Sequence, residues 1–178
     1  MNSIEMIKLI DVERLAFLPD KVLSDSIASD RFGYLGIALH QPTRQQVIQA
    51  CVKRLWRKQT EFDAIAFRGL SGALIAPSVA DQLGKKLIAI RKPDDGSHGT
   101  SVEGETSETQ YIILDDFVSS GSTVRAIIDA ITSNARAKNS FPLAVLTYRK
   151  GWHEDGIRCK INGMPDVTLW SADWTETS

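Results

Sequence analysis

Short apolar runs alternate with segments of helical periodicity between residues 42 and 148. A helix is predicted from Pro42, because Val47, Cys51 and Leu55 recur every four residues. Strands that alternate with helices require right-handed crossovers, which produce a mainly parallel sheet. The alternation therefore predicts an α/β fold, a mainly parallel twisted sheet flanked by helices. Its strands are expected at residues 63–67, 86–90, 111–114 and 143–148, and its further helices at 73–83 and 123–133.

The length of 178 residues fits one domain with one sizeable core. We expect residues 1–178 to form this single domain, with its core at about 42–150. Residues 34–39 are predicted as a short strand or a hairpin arm. Residues 93–110 are polar and rich in glycine, and a connection of this length in a compact domain is usually functional or disordered.

Charge and cysteine usage argue against several classes of function. The chain has 21 Lys and Arg against 22 Asp and Glu, so its net charge of −1 favours neither a nucleic acid nor a membrane as partner. Cys51 and Cys159 form no CxxC pair and the three histidines are far apart, which argues against structural zinc. The N-terminus lacks the apolar core of a signal peptide, and no run of about 18 apolar residues is present. A cytoplasmic location is therefore expected.

The strongest candidate site is the segment 112–123, IILDDFVSSGST. A predicted strand ends in Asp115 and Asp116, and a run of small hydroxylated residues with one glycine leads into the next helix. Phosphate groups bind at helix N-termini because free backbone N–H groups and the positive end of the helix dipole meet there. Paired carboxylates accept hydrogen bonds from vicinal hydroxyls and can hold hydrated Mg²⁺. A simple N-cap after a solvated strand end is the structural alternative.

This twelve-residue segment resembles the phosphoribosyl pyrophosphate signature of type I phosphoribosyltransferases at every position. The resemblance implies that Asp115 and Asp116 hold the ribose 2′- and 3′-hydroxyls, act in catalysis and bind Mg²⁺ through water or ribose hydroxyls. It also implies which residues bind the 5′-phosphate of the substrate. These are Ser119, Ser120, Gly121, Ser122 and Thr123.

Two further segments occupy the places of the family's pyrophosphate-binding elements. The turn at 68–72, RGLSG, follows a predicted strand, and its backbone N–H groups together with Arg68 and Gly69 are expected to bind pyrophosphate. In this family the turn often contains a non-proline cis peptide bond, here expected beside one of these two residues. Arg91 and Lys92 end the next strand and are also expected to contact pyrophosphate. A tight turn with a surface arginine and a solvated strand end are the structural alternatives.

The loop that follows Lys92 is similar to the catalytic loop of orotate phosphoribosyltransferases. His98-Gly99 and Glu103-Gly104 match that loop, whereas other residues occupy positions 95–97, where the lysine of the family would stand. The resemblance implies that His98 acts in catalysis, by donating a hydrogen bond to pyrophosphate or by transferring a proton. A solvent-exposed histidine without a role is the alternative.

The resemblance implies a phosphoribosyltransferase, which is a glycosyltransferase. It would transfer the 5-phosphoribosyl group from phosphoribosyl pyrophosphate to a nitrogenous base and release pyrophosphate, with Mg²⁺ as cofactor. An orotate-like pyrimidine is the favoured acceptor, which would place the protein in pyrimidine biosynthesis. Members of the family are commonly homodimers, so a homodimer is expected. A small hood from residues 1–40 and/or 151–178 would recognise the base.

Two other functions fit the same signature. The first is a non-catalytic or regulatory protein of the same fold that binds phosphoribosyl pyrophosphate or a nucleotide, and the missing loop lysine favours it. The second is a hydrolase built on the same scaffold, which the fold by itself does not exclude.

Aromatic residues close to the C-terminal end are candidates for stacking on the base, namely Trp152, Trp170 and Trp174, with Phe141 and Tyr148 near them. The alternative is that they anchor the C-terminal residues to the core, and we favour this alternative.

Overall fold

The computed structural model describes residues 9–11, 35–92, 100–107, 109–137, 139–149, 155–160 and 167–172. The strands of these residues are β1 (Leu9–Asp11), β2 (Ala64–Arg68), β3 (Lys86–Ile90), β4 (Val102–Gly104), β5 (Gln110–Asp115), β6 (Phe141–Thr147), β7 (Ile157–Lys160) and β8 (Val167–Ser171). The helices are α1 (Gly36–Leu39), α2 (Gln41–Trp56), α3 (Gly69–Leu83) and α4 (Ser122–Ser133), and a short 3₁₀ helix follows at Ala135–Ala137.

One sheet contains all of these strands, in the order β1-β7-β8-β6-β5-β2-β3-β4. The five central strands, from β8 to β3, pair in parallel. Strand β4 pairs antiparallel with β3 at one edge, and β7 pairs antiparallel with β8 near the other. The predicted α/β fold with a mainly parallel sheet is therefore confirmed.

The helix boundaries follow from local chemistry. Helix α2 begins with Pro42 in its first turn, where a missing backbone N–H costs nothing, and Thr43 Oγ1 donates hydrogen bonds to the carbonyls of Ile37 at 2.9 Å and His40 at 3.0 Å. Helix α3 ends at Gly84, whose φ of 63° suits the left-handed C-cap conformation that glycine adopts without strain. The predicted beginning of α2 and end of α3 are confirmed.

The sheet has an apolar layer on each face, because alternate strand residues point to opposite sides. On one face Ala66, Ile113 and Val145 pack in a cluster with residues of α4. On the other face Ile65 and Ile112 pack in a cluster with residues of α2 and α3. Burial on both faces explains why the central strands are almost continuously apolar.

Helix α3 begins at Gly69 rather than at residue 73 as predicted, because the chain enters the helix directly after β2, with Gly69 at a φ of 77°. Three further parts of the chain differ from the prediction. Residues 36–39 form a helical turn rather than a strand, because Leu39 N and His40 N bond to the carbonyls of Leu35 and Gly36, each at 2.9 Å. The polar stretch 93–110 contains β4, which forms because a hairpin partner, β3, lies beside it.

The third difference concerns the end of the chain. The sheet continues past residue 150, because β8 pairs in parallel with β6. This pairing joins residues distant in sequence, which local pattern does not reveal. The hood expected from the chain ends stays a prediction. No helix in the described ranges is both long and apolar enough to cross a membrane.

Candidate functional site

A cavity of about 380 Å³ opens at the carboxyl ends of the parallel strands, where ligands bind in sheets of this kind. It is lined by residues 68–71 after β2, by Lys92 after β3 and by the run 115–124 between β5 and α4, with Leu35 contributed by the segment before α1. The fold thus brings together the predicted acids, the predicted phosphate loop and the first half of the predicted pyrophosphate turn.

Asp115 and Asp116 are both buried, with exposed fractions of 5% and 4%. Oδ1 of Asp115 accepts hydrogen bonds from Ser71 Oγ and from the backbone N–H of Asp116, each at 3.0 Å. The backbone carbonyls of the two acids accept hydrogen bonds from the N–H groups of Tyr148 at 3.3 Å and Arg149 at 2.7 Å. The alternative that these acids are a solvated strand end is therefore wrong.

The buried acids create a site that favours positive charge or hydroxyl donors. Burial, together with the neighbouring charge of Asp116, raises the pKa of Asp115 from 3.8 to about 7. Oδ2 of Asp116 is buried without a hydrogen-bond partner among the described residues. Buried carboxylate oxygens are costly without a donor or a cation, so this oxygen is suited to accept a hydrogen bond from a ligand hydroxyl or to contact a cation.

The segment after Asp116 leads into α4 through Gly121, which has a φ of 73° and occupies the N-cap position. Gly121 provides no side-chain cap. Ser120 Oγ donates a hydrogen bond to Ser122 Oγ at 3.0 Å and accepts one from the N–H of Ser122 at 3.3 Å. A helix start of this kind directs N–H groups and the positive end of the dipole at the cavity. The arrangement is suited to a phosphate group.

The turn after β2 is very short, because α3 begins at Gly69 directly after Arg68. Gly69 has a φ of 77°, and a Cβ atom at this position would lie 3.9 Å from Cε of Lys92, so the lysine side chain approaches the turn. Nε of Arg68 is buried without a hydrogen-bond partner in the described part of the chain. Two cationic side chains thus line the cavity together with the two acids. All described peptide bonds are trans, so the expected cis bond is not found.

One predicted residue is not part of this arrangement, and a second lies outside the described residues. Arg91 does not line the cavity in the described structure, and its Nε forms an ion pair with Glu103 Oε1 of β4 at 3.0 Å. Its side chain therefore stabilises the β3–β4 hairpin. His98 lies outside the described residues, and its role stays a prediction.

Sequence reasoning assigned no role beside the acids to Ser71 or Tyr148 and none in the cavity to Leu35, and it considered Tyr148 only for stacking on a base. Ser71 contacts Asp115, Tyr148 donates a hydrogen bond from its hydroxyl to the carbonyl of Ser71 at 3.1 Å, and Leu35 lines the cavity. A signal existed for Ser71, since it lies inside the RGLSG turn already singled out. No local pattern identifies Tyr148, whose contact with Ser71 joins residues 77 positions apart.

Trp170 anchors the last described strand to the core. It is 6% exposed and belongs to the cluster beneath α2 and α3. The Arg54 guanidinium lies 5.3 Å and the Lys58 ammonium 5.4 Å from the centre of its ring, as in cation–π pairs. The anchoring alternative is confirmed for Trp170, whereas Trp152 and Trp174 lie outside the described residues.

Comparisons with known proteins agree with this geometry. The model of the PRTase-CE family matches residues 5–169. An adenine phosphoribosyltransferase of Bifidobacterium longum (strain DJO10A) is 36% identical over 101 residues, which cover 48% of this chain and 52% of the relative. The transcriptional regulator GfcR of Methanocaldococcus jannaschii is 31% identical over 120 residues, which cover 63% of this chain and 53% of the regulator. The chain thus spans about half the length of these curated relatives.

A solved structure supports the fold. The orotate phosphoribosyltransferase of Francisella tularensis superposes with a TM-score of 0.55 at 9% sequence identity. The superposition covers 79% of this chain and 70% of that structure. At this level of identity the similarity establishes a shared fold.

Proposed function

The chain belongs to the PRTase-CE family and has the fold of type I phosphoribosyltransferases, and from this premise we propose that it transfers the 5-phosphoribosyl group of phosphoribosyl pyrophosphate to a nitrogenous base. Pyrophosphate is the second product. One observation carries the proposal. A pair of buried carboxylates lies shortly before a glycine-led helix N-terminus, in one cavity with two cationic side chains.

The chemistry of each part of the cavity suggests how the substrate is oriented. The 5′-phosphate binds to the N–H groups and hydroxyls of residues 119–123, because that helix start is suited to a dianion. The ribose hydroxyls donate hydrogen bonds to Asp115 and Asp116, which relieves the burial of these carboxylates. The pyrophosphate lies towards Arg68, Gly69 and Lys92, where cations and backbone N–H groups are available.

In the reaction the bond from C1 of the ribose to the pyrophosphate oxygen breaks, a bond from C1 to a nitrogen of the base forms, and the proton that this nitrogen carried is released. Positive charge develops on the ribose ring, while negative charge builds on the leaving pyrophosphate. Arg68 and Lys92 stabilise the leaving group, and the 5′-phosphate site and the acids hold the ribose in place. We propose that His98 contributes a hydrogen bond or a proton from its loop.

The carboxylate pair also fits Mg²⁺. No cluster of three or more His, Cys, Asp or Glu side chains occurs among the described residues, so a cage made only of protein ligands is not found there. Magnesium is commonly held by one or two carboxylates together with water and substrate oxygens. Asp116 Oδ2, buried and without a partner in the described structure, is suited to this role. The ion would neutralise part of the charge on the pyrophosphate.

Two observations bear on the identity of the acceptor base, and they favour different bases. The loop elements His98-Gly99 and Glu103-Gly104 favour orotate, whereas the Bifidobacterium relative is an adenine phosphoribosyltransferase. We therefore propose a nucleobase acceptor and include both bases in the test. The homodimer and the cytoplasmic location stay predictions.

A second candidate function is a regulator that binds phosphoribosyl pyrophosphate without turning it over. It is favoured by the similarity to the transcriptional regulator GfcR and by the absence of a lysine at residues 95–97. The two functions share the binding site and differ only in catalysis.

Calorimetric titration with phosphoribosyl pyrophosphate, with and without Mg²⁺, tests the proposal. The variant is the double substitution Asp115→Asn/Asp116→Asn. The matched control is Asp81→Asn/Asp129→Asn, which makes the same charge change at two exposed aspartates that do not line the cavity. We expect Mg²⁺-dependent binding that the control retains and the site variant loses.

Pyrophosphate release against a panel that includes orotate and adenine then separates the two functions. Release of pyrophosphate with at least one base supports the transferase. Tight binding of phosphoribosyl pyrophosphate, with no pyrophosphate released whichever base is added, supports the regulator. Absence of binding under both conditions contradicts both candidates.

A further inference from the structure

We infer that Ser71 is a positioning residue, which orients the carboxyl group of Asp115 and thereby couples the pyrophosphate turn to the ribose-binding acids. The inference rests on the proposed function. Ser71 lies in the first turn of α3, outside the segment 112–123 that resembles the signature.

The first contact is between Ser71 and Asp115. Ser71 Oγ donates a hydrogen bond to Asp115 Oδ1 at 3.0 Å, and both residues are buried, with exposed fractions of 7% and 5%. The other donor to this oxygen is the N–H of Asp116, which belongs to the same strand end. The Ser71 hydroxyl is therefore the contact through which a separate element, α3, holds this carboxyl group.

The second contact fixes Ser71 itself. The hydroxyl of Tyr148 donates to the carbonyl of Ser71 at 3.1 Å, and the backbone N–H of Tyr148 donates to the carbonyl of Asp115 at 3.3 Å. The three residues thus form a closed ring of hydrogen bonds that joins α3, the end of β5 and the residue after β6. Tyr148 is 1% exposed, so water does not compete for these bonds.

The ring makes the turn and the carboxyl group depend on each other. Arg68 and Gly69 lie three and two residues before Ser71, so a shift of this turn on binding pyrophosphate would move the donor to Asp115. The carboxyl torsion of Asp is broad, and without the Ser71 donor the N–H of Asp116 alone, of the two donors to Oδ1, orients the group. A misdirected carboxylate costs both ribose affinity and the alignment of C1 for reaction.

The test compares two small ligands for Ser71→Ala, with Ser78→Ala on the same helix as the matched control. Ribose 5-phosphate requires the acids and the phosphate loop, whereas inorganic phosphate requires only the loop. We expect Ser71→Ala to weaken ribose 5-phosphate binding about tenfold or more, the effect of a hydrogen bond to a charged group, and to leave phosphate binding unchanged. We expect Ser78→Ala to leave both affinities unchanged.

The variant Tyr148→Phe tests the ring. It removes only the hydroxyl that holds Ser71, so it should weaken ribose 5-phosphate binding by a smaller factor than Ser71→Ala. Adding Tyr148→Phe to Ser71→Ala should weaken ribose 5-phosphate binding little further, because Ser71→Ala has already broken the ring. Independent, multiplying effects would show that Tyr148 does not act through Ser71.

The outcomes separate this inference from the proposed function. If the unaltered protein binds neither ligand nor phosphoribosyl pyrophosphate, both are wrong. If it binds them and Ser71→Ala binds ribose 5-phosphate equally well, only the positioning role is wrong. Equal loss of both ligands would indicate a general structural role and would also overturn it. If Ser71→Ala does not fold, Ser71→Cys, which has similar size and only a weak donor, replaces it in the same comparison.

Discussion

Asp116 donates its backbone N–H to Oδ1 of Asp115 at 3.0 Å, while its own Oδ2 is buried without a hydrogen-bond partner among the described residues. The two carboxyl groups are therefore adjacent and buried. Asp115 Oδ1 accepts hydrogen bonds, whereas Asp116 Oδ2 has no donor among the described residues. Two ionised carboxylates in such a position repel each other, and burial disfavours the charge of Asp115. This relationship leads to the first prediction.

The stability of the ligand-free protein should fall as the pH rises from about 4 to about 7. The pKa of Asp115 is raised from 3.8 to about 7, so the folded protein keeps a proton that the unfolded chain has already released. This contribution is fully present below the unfolded pKa and is lost as the pH rises through the folded pKa. Its slope is up to about 1.4 kcal/mol per pH unit for one proton.

Denaturant unfolding between pH 4 and 8 measures this effect, and Asp115→Asn is the reference because it removes the titrating group while keeping a similar shape. The difference in unfolding free energy between the two proteins should decline over that range. Parallel curves for the two proteins would show that Asp115 titrates normally.

Lys92→Ala should weaken the binding of phosphoribosyl pyrophosphate about tenfold, whereas Arg91→Ala should have a much smaller effect. Lys92 lines the cavity, while the Arg91 side chain is paired with Glu103 on β4. Calorimetry in the presence of Mg²⁺ measures both affinities. Equal losses would mean that Arg91 leaves its ion pair and contacts the substrate.

Gly72→Ala should lower the free energy of unfolding by about 1–3 kcal/mol. A Cβ atom on Gly72 would lie 2.6 Å from Cβ of Phe67 and 3.2 Å from the carbonyl oxygen of Leu114, so α3 would have to move away from the sheet. Denaturant unfolding measures the loss.

The control for Gly72→Ala is Gly84→Asn. Asn tolerates the left-handed conformation, and no atom lies within 4 Å of a Cβ at Gly84. This variant should therefore unfold almost as the original protein does. A Gly72→Ala protein that is equally or more stable would mean that the helix propensity of alanine outweighs the close packing.

Tyr148→Phe and Tyr111→Phe should change stability in different directions. The Tyr148 hydroxyl donates to the carbonyl of Ser71, so its removal should cost about 1 kcal/mol, the net contribution of one hydrogen bond. The Tyr111 hydroxyl is buried and has no partner in the described structure, so its removal should be neutral or stabilising. Thermal unfolding of the two variants measures the difference, and similar shifts would contradict the assigned hydrogen bonds.

Much of the fold was predictable because its signals are local. The strand at Lys86–Ile90 and the helix ends at Gly84 and Ser133 follow from apolar periodicity and from residue types with fixed backbone preferences. The acids and the glycine-led turn were predictable for the same reason, because a phosphate site at a helix start is a contiguous piece of chain. Periodicity was weak in residues 34–39, and there the predicted strand was wrong.

Contacts between distant segments could not be predicted in this way. Strand β8 completes the parallel part of the sheet although it lies beyond the predicted core, and Trp170 faces the core rather than a ligand. Arg91 and Lys92 are adjacent after β3, yet Arg91 forms an ion pair with Glu103 of β4, whereas Lys92 lines the cavity. A local pattern shows that a side is apolar or charged, but not which neighbour covers it.

The sequence by itself determined the central strands β2, β3, β5 and β6, the helices from α2 onwards and the contiguous run of residues predicted to bind a phosphate, since backbone preferences and helix dipoles act over a few residues. Only the tertiary structure decided that Asp115 and Asp116 are buried, that Ser71 and Tyr148 support Asp115, and that Arg68 and Lys92 line the same cavity. These properties depend on which elements pack together, because the removal of water and the meeting of distant donors and acceptors arise only when the sheet is assembled.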